Sequence, residues 1–181
     1  MIKRLNSLWG PDEVVNLTGA SSDRLLLAGE TAVIDFTSAT SVPLHIQTVE
    51  GLYEIDIMSN TAGTVTNDSA ITLSANNTTY SNAFHNFYHG SSSANSHIIG
   101  GNSDSSSIIL AYSLPYQITS RITTRTASKS SVSEGFTKST SGKNMVKYIC
   151  DWDDSTTAWT SLGTVTLPFA QSGKIVVHRV A

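Results

Sequence analysis

The sequence predicts an all-β fold: a single-domain antiparallel β-sandwich of the jelly-roll type with about ten strands. Three observations support this prediction. About a third of the 181 residues are Ser, Thr or Asn, which favour strands and turns over helix. Charged residues make up only 14% of the chain, below the roughly 25% that is usual for soluble proteins. Apolar and polar residues alternate in many short segments, as in half-buried strands.

The first eleven residues stand apart from this pattern. Ile2, Leu5 and Trp9 are spaced at three and four, and a Gly-Pro pair ends the segment, which predicts a short N-terminal arm over residues 1–11 with one apolar face. Such an arm can dock onto a neighbouring subunit. Alternatively, it is a frayed terminus that carries a few apolar residues. The β-sandwich domain is expected over residues 12–181.

The strand pattern then continues to the end of the chain. In LYEIDIM, Tyr53, Ile55 and Ile57 alternate with Glu54 and Asp56, so one face of this strand is expected to be buried. GKIVVHRV is apolar on both faces except at its His-Arg pair, which suits a strand that is covered on both sides or ends at an interface. The remaining expected strands are EVVNLTG, TAVIDFT, PLHIQTV, AITLSA, SIILAYS, YQITSRITTRT, MVKYICDW and LGTVTLPF.

Two polar segments, HGSSSANSHIIGGNSDSSS and TTRTASKSSVSEGFTKSTSGKN, are expected to form long hairpins or loops. The single cysteine, Cys150, allows no intrachain disulfide and no zinc site built on cysteines. The first residues lack the continuous apolar core of a signal peptide. No stretch approaches the roughly 18 apolar residues that a membrane span needs. We therefore expect a protein that is made in a cytoplasm and does not insert into a membrane.

Three of the five histidines, His85, His89 and His97, lie in FHNFYHGSSSANSH. The first two have the spacing of a helical zinc pair, but Asn86 stands where the metalloprotease pattern needs Glu. On a strand the two imidazoles would share a face. In a trimer, the three-fold axis would bring three copies of one histidine together, and these could bind a metal ion. The simpler interpretation, an ordinary strand with packed rings, is the one we adopt, so no metal and no cofactor is expected.

The acidic run DWDD places Asp151, Asp153 and Asp154 around Trp152. Paired carboxylates beside an aromatic ring suit glycoside hydrolysis, and closely spaced Asp residues suit calcium. The run lacks the Gly and the terminal Glu of a calcium-binding loop, and an Asp-Asp-Ser turn explains it equally well. No G-x-S-x-G motif or phosphate-binding loop occurs either. No catalytic residue is assigned, and we expect that the protein is not an enzyme.

Charge is split along the chain. Nine of the acids lie in residues 12–68, where Arg24 is the only base, whereas residues 121–147 hold six bases and one acid. Complementary patches of this kind can fix the alignment of identical subunits, or of this chain and a second protein. Alternatively, the basic region contacts phosphate or is a solvated hairpin. A pI near 5.9 and the absence of interleaved aromatics argue against nucleic acid. The bases considered for an interface are Arg121, Arg125, Lys129 and Lys138.

The C-terminal segment DDSTTAWTSLGTVTLPFAQSGKIVVHRVA resembles the closing hairpin of small β-sandwich virion proteins of tailed bacteriophages. In that group a WTSLGT strand, a PFAQSG turn and an apolar last strand finish the chain. LSANNTTYSNAF, residues 73–84, resembles the same group. Together the two stretches cover about a quarter of the chain, and neither is a functional motif. The resemblance implies a structural role on the particle, as a capsid decoration, a collar or a tail appendage, without catalytic residues.

The leading hypothesis is therefore a non-enzymatic virion component, made in the bacterial host cytoplasm. It would contact other capsid or tail proteins and assemble as a homo-oligomer, with a trimer as the expected form. A second hypothesis is a module that binds a host receptor or surface glycan through aromatic rings, which can stack on sugars. A third is a polysaccharide-degrading enzyme that uses the aspartates of DWDD. The rings considered for stacking are Tyr80, Phe84, Phe87, Tyr88 and Trp159.

Overall fold

The chain is all-β, as predicted: the residues that the structure describes form strands, turns and loops but no helix. In this part of the chain there is accordingly no helix that is long and apolar enough to cross a membrane. The computed structural model describes residues 13–59, 70–74, 86–91, 94–99, 108–112, 115–139, 142–152 and 158–181.

Thirteen strands lie in these residues, where the sequence predicts about ten. Each predicted segment contains a strand, and the last two predicted strands merge into one. Four further strands occur: β7 overlaps FHNFYH, for which an ordinary strand is the adopted interpretation, β8 and β11 lie in the two polar segments, and β2 lies in a segment for which no strand is predicted. The strands are β1 (Val14–Asn16), β2 (Arg24–Leu25), β3 (Thr31–Pro43), β4 (Ile46–Gln47), β5 (Leu52–Ser59), β6 (Ala70–Ser74), β7 (Asn86–Ser91), β8 (Ala94–Ile99), β9 (Ile108–Tyr112), β10 (Pro115–Arg125), β11 (Ser128–Ser139), β12 (Gly142–Trp152) and β13 (Thr164–Arg179).

Nine strands form one mixed sheet. Its main path has the order β1-β3-β13-β5-β10-β11-β12, with β6 paired to β13 and β9 paired to β6. The neighbours are antiparallel except for β1 and β3, which are parallel. Two further pairs stand apart, the parallel β2–β4 and the antiparallel β7–β8. The prediction of purely antiparallel pairing is therefore wrong for β1 and for β2–β4.

The last strand also differs from its prediction. The sequence suggests a hairpin with PFAQSG as its turn, but β13 is one continuous strand that pairs with β3 near both of its ends. The register against β3 shifts between Thr166 and Gln171, and Pro168 lies within this bulge. Proline has no backbone N–H to give to a ladder and is tolerated at bulges. PFAQSG is therefore a bulged bend within one strand, and the predicted hairpin is wrong.

The sheet branches at the same bulge. On one side of it β13 pairs with β6, with Thr166 opposite Thr72; on the other side it pairs with β5, with Gly173 opposite Ser59. The first branch continues into β9, and the second continues through β10 and β11 to β12. β9 lies close to β10, β11 and β12. The β3–β13 pair is thus the common stem of both branches.

A single cluster of buried apolar side chains forms the core. The alternation predicted for LYEIDIM is confirmed: Tyr53, Ile55 and Ile57 are buried, whereas Glu54 and Asp56 lie on the other face and are half-buried. Ile175 and Val177 of β13 are buried beside them and pair with Ile57 and Ile55. Complete burial of one such side chain contributes about 1.5–3 kcal/mol, so this region carries much of the stabilisation of the fold.

Candidate functional site

Several residues singled out from the sequence belong to strands whose backbone pairing is described. Phe87 and Tyr88 belong to β7, Lys138 to β11 and Asp151 to β12. The glycan-stacking and glycosidase hypotheses depend in part on residues outside the described ranges. The residues that lie outside them are Ile2, Leu5, Trp9, Tyr80, Phe84, His85, Asp153 and Asp154.

The histidines of the β7–β8 hairpin are not paired with each other. His89 is opposite Ser96, and His97 is opposite Tyr88, so the register does not place the two histidines across from one another. Elsewhere too, within the described ranges, no three His, Cys, Asp or Glu side chains are grouped as metal ligands would be.

The Trp159 ring is buried and not exposed. Only 4% of its surface is exposed and it belongs to the hydrophobic core. The segment that carries it is tied to the β4 region, where the hydroxyl of Thr48 donates a 2.7 Å hydrogen bond to the Trp159 carbonyl. The prediction of an exposed ring is therefore wrong. Local sequence pattern cannot show that this segment pairs with a strand more than one hundred residues away.

The predicted interface bases lie in two environments. Arg121 and Arg125 project from the exposed face of β10. Lys129, by contrast, is 2% exposed, because the alternation of β11 turns it to the inner face, and its ammonium group donates to the Thr126 carbonyl at 3.1 Å. Lys129 therefore packs within its own hairpin, and the prediction of a surface charge at this position is wrong.

Arg121 belongs to the surface that we consider the candidate site. We call it the open face: the outward side of β3, β13, β5, β10, β11 and β12, whose described side chains are exposed or half-buried. Its first row crosses four strands. Thr31 Oγ1 lies 3.0 Å from His178 Nδ1, His178 is opposite Glu54, and Arg121 Nε donates to Glu54 Oε2 at 3.0 Å.

A second row runs parallel to the first. The Thr119 hydroxyl donates to Asp56, Thr119 is opposite Glu134, and Lys147 Nζ lies 2.8 Å from Glu134 Oε1. The hydrogen bond from Lys147, together with its positive charge, holds the pKa of the Glu134 carboxyl below its ordinary value of 4.5. Both rows therefore consist of side chains that already have partners on adjacent strands.

Apart from Arg125, the other described side chains of the open face form one further ion pair, or are apolar, or are uncharged and polar, such as Gln117, Thr123 and Ser130. Lys174 Nζ lies 3.4 Å from Asp35 Oδ1. Half-buried aliphatic residues continue the two rows or lie beside them. Val132 and Ile149 extend the first row, Val33 and Val176 extend the second, and Leu52 and Met58 flank the pair of rows. The surface is thus amphipathic, with aliphatic strips next to the neutralised polar side chains.

This arrangement explains the split in charge along the sequence. The acidic strand β5 and the basic strand β10 are direct neighbours, and their charges meet at the Glu54–Arg121 pair. At the end of the same seam, the Thr126 N–H donates to the Glu50 carboxylate at 2.9 Å and lowers the pKa of Glu50. The complementary charges therefore meet first within the chain, between neighbouring strands.

The open face has the dimensions of a protein–protein contact surface. Six strands spaced at about 4.8 Å, each covering about eight residues at 3.3 Å per residue, span roughly 700 Å². A standard interface covers about 800 Å² on each partner. Paired charges and aliphatic strips of this extent can hold a flat partner in register.

Thr31 and His178 are not among the site residues that were predicted from the sequence. A signal for them existed, since the His-Arg pair of GKIVVHRV interrupts an otherwise apolar strand. The partners of His178 come from β3 and β5, however, which are remote in sequence. No protein-family model matches the chain, and comparisons with curated proteins and with solved structures find no match either.

Proposed function

We propose that this protein is a non-enzymatic structural component of a tailed-phage virion, a surface decoration or a tail or collar appendage. Its subunits associate with each other and with virion proteins through the open face. The single observation that carries the structural role is this surface, with paired charges and aliphatic strips across six neighbouring strands. The virion assignment is supported by the resemblance of the C-terminal segment, and a homotrimer is the proposed assembly.

The chemistry of the open face suits a permanent contact. Charges that are already paired on one subunit lose less solvation on association than isolated charges would. Hydroxyl and aliphatic groups supply the remaining contact area. Because Arg121 is 69% exposed and Glu54 30% exposed in their pair, covering the surface would also strengthen this ion pair by excluding water.

We further propose that the two branches of the sheet stack as the layers of a β-sandwich. The proximity of β9 to β10, β11 and β12 supports this: β9 belongs to the branch that leaves β13 before the bulge, and the other three strands to the branch that leaves after it. In such a fold, strands change layer at bulges. The β13 bulge at Pro168 would be this corner.

Size-exclusion chromatography with light scattering tests the assembly. The wild-type chain should elute at a multiple of its 19.3 kDa monomer mass, three-fold for the proposed trimer. Val176→Glu places an unpaired negative charge in an aliphatic strip, opposite Asp56 and Val33, and should shift the protein to the monomer. The matched control is Thr40→Glu, an exposed position of β3 away from the open face, which should leave the mass unchanged.

Binding to purified particles tests the virion assignment. The wild-type protein should co-sediment with capsids or tails of a phage that encodes it, and Val176→Glu should reduce this binding. A wild-type protein that stays monomeric at high concentration and binds neither particle would refute the proposal.

A further inference from the structure

A cleft lies on the side of β3 beneath the turn that follows β1. It measures about 310 Å³, at the lower end of the range for small-ligand sites. Its floor is apolar and includes Leu17, Ile34 and Phe36, while Asp35, Ser41 and other polar residues form the rim together with His45. It adjoins the open face, with which it shares Asp35, but does not depend on the proposed virion role.

Both walls of the cleft are fixed by hydrogen bonds. In the first wall, the Leu17 N–H donates to the Val33 carbonyl at 2.8 Å, and the Thr18 hydroxyl accepts from the Asp35 N–H at 2.8 Å. In the second wall, the His45 carbonyl accepts from the Arg24 N–H at 2.9 Å. The cleft is therefore formed before any ligand arrives, which lowers the ordering cost of binding.

Backbone strain concentrates at this cleft. Within the described residues, two non-glycine residues have a positive φ: Ser38 at 48° and His45 at 53°. His45 lines the cleft, and Ser38 lies between the lining residues Thr37 and Ala39. Side chains rarely adopt this conformation, and where it persists it often marks a functional site.

The ionisable side chains at the rim already have partners. His45 Nδ1 lies within hydrogen-bond distance of Asp23 Oδ1, at 3.3 Å, and the Asp35 carboxylate is paired with Lys174. The rim therefore offers mainly hydrogen-bonding groups. An ion would therefore gain little binding free energy in the cleft. A purely apolar ligand would exclude water from the rim groups without offering them hydrogen bonds.

We propose that this cleft binds a neutral sugar residue. The apolar floor would meet the C–H face of the ring. The hydroxyls of Thr37 and Ser41 and the imidazole of His45 would form hydrogen bonds with the hydroxyls of the sugar ring. The Asp23 carboxylate would orient the His45 ring so that its other nitrogen faces the ligand. The strained backbone of His45 is then retained because it places the imidazole at the rim.

An NMR titration of the ¹⁵N-labelled chain tests this. Glucose, galactose and N-acetylglucosamine are the neutral probes; glucuronate, glucosamine and cyclohexanol are the acidic, basic and apolar controls. At least one neutral sugar should shift the amide signals of Gly19, Asp35, Thr37 and His45 with a millimolar Kd. If none does, or if a charged sugar or cyclohexanol shifts them as strongly, the proposal is overturned.

Three variants sharpen the test. Ser41→Tyr should fill the cleft and abolish the shifts, while the adjacent exposed Thr40→Tyr should not. His45→Gly removes the imidazole from a conformation that glycine adopts freely. It should weaken sugar binding about tenfold, the equivalent of one hydrogen bond, without lowering the melting temperature. A His45→Gly protein that is less stable and binds sugar as well as the wild type would show that the strain is structural only.

Discussion

The inner side of the sheet changes character along a single row of paired residues. Val177 of β13 is opposite Ile55 of β5, Ile55 is opposite Ser120 of β10, and Ser120 is opposite Ser133 of β11. All four are completely buried. The first two pack as hydrocarbons, whereas the two serines bond to each other, with Ser120 Oγ donating to Ser133 Oγ at 2.8 Å. Equal burial thus rests on two different kinds of interaction.

The two kinds of buried contact contribute differently to stability and to specificity. Apolar burial supplies free energy in proportion to area, while a buried hydroxyl must keep its partner to avoid a desolvation penalty. The hydroxyl region extends to Thr124 and Ser131, which are also buried. We therefore expect the β5–β13 region to dominate stability and the β10–β11 region to specify register.

The largest effect should come from the apolar end of the row. Ile55→Ala leaves a cavity in a completely buried position and should lower the free energy of unfolding by about 2–5 kcal/mol. Ser133→Ala, two strands away at equal burial, removes one hydrogen bond and should lower it by about 1–2 kcal/mol. Urea unfolding of both variants measures the difference.

A third substitution controls this comparison. Ser131 Oγ is buried without a hydrogen-bond partner, so Ser131→Ala should leave stability unchanged or raise it. Equal losses for Ile55→Ala and Ser133→Ala would contradict the distinction between the two regions.

Glycine-to-alanine substitutions that crowd the backbone should also lower stability more in the β5–β13 region than in the β10–β11 region, but by a smaller difference. A Cβ at Gly173, on the β5–β13 side, would lie 2.1 Å from the Met58 carbonyl oxygen, whereas one at Gly135 of β11 would lie 2.8 Å from that of Gln117. Both clashes are with backbone, which must shift. Gly173→Ala should therefore cost about 3 kcal/mol, the upper end of the range for overpacking, and Gly135→Ala about 1–2 kcal/mol.

Thermal unfolding of the two alanine variants checks the order. Gly19→Ala serves as the reference, because Gly19 has a φ of 71° but no atom within 4 Å of an added Cβ. The loss of stability in Gly19→Ala should therefore measure backbone strain alone, at about 1 kcal/mol. A Gly135→Ala protein less stable than Gly173→Ala would reverse the predicted order.

The smallest effect should come from the outer side of the hydroxyl region. The lowered pKa of Glu134 means that its pair with Lys147 stabilises the fold fully above the ordinary carboxyl pKa of 4.5. This contribution is lost as pH falls through the lower folded value. Glu134 is 60% exposed, so the contribution should be only a few tenths of a kcal/mol.

Glu134→Gln should therefore reduce stability slightly at pH 7 and leave it unchanged at pH 2–3, measured by urea unfolding at each pH. High salt should reduce the difference at pH 7. A loss that is as large in acid as at neutral pH would contradict a role for the ion pair.

Local features of this protein follow directly from its amino-acid sequence. The strand segments and the buried face of β5 follow from residue type and alternation, because the side chains of a strand point to opposite sides with a period of two. The same reasoning found the hairpins of the basic region. In TTRTASKSS, Thr126 and Ala127 form the turn between β10 and β11.

The choice of neighbouring strands and of covered faces, by contrast, is visible only in the folded chain. Alternation cannot show that β13 passes through Pro168 without turning back, that Trp159 and Lys129 are buried, or that Arg121 meets Glu54. These outcomes depend on pairing between segments that are far apart in the chain, and pairing is chosen by the combined packing of all strands. The open face and the cleft arise in the same way, because each gathers residues from several strands whose proximity no single segment encodes.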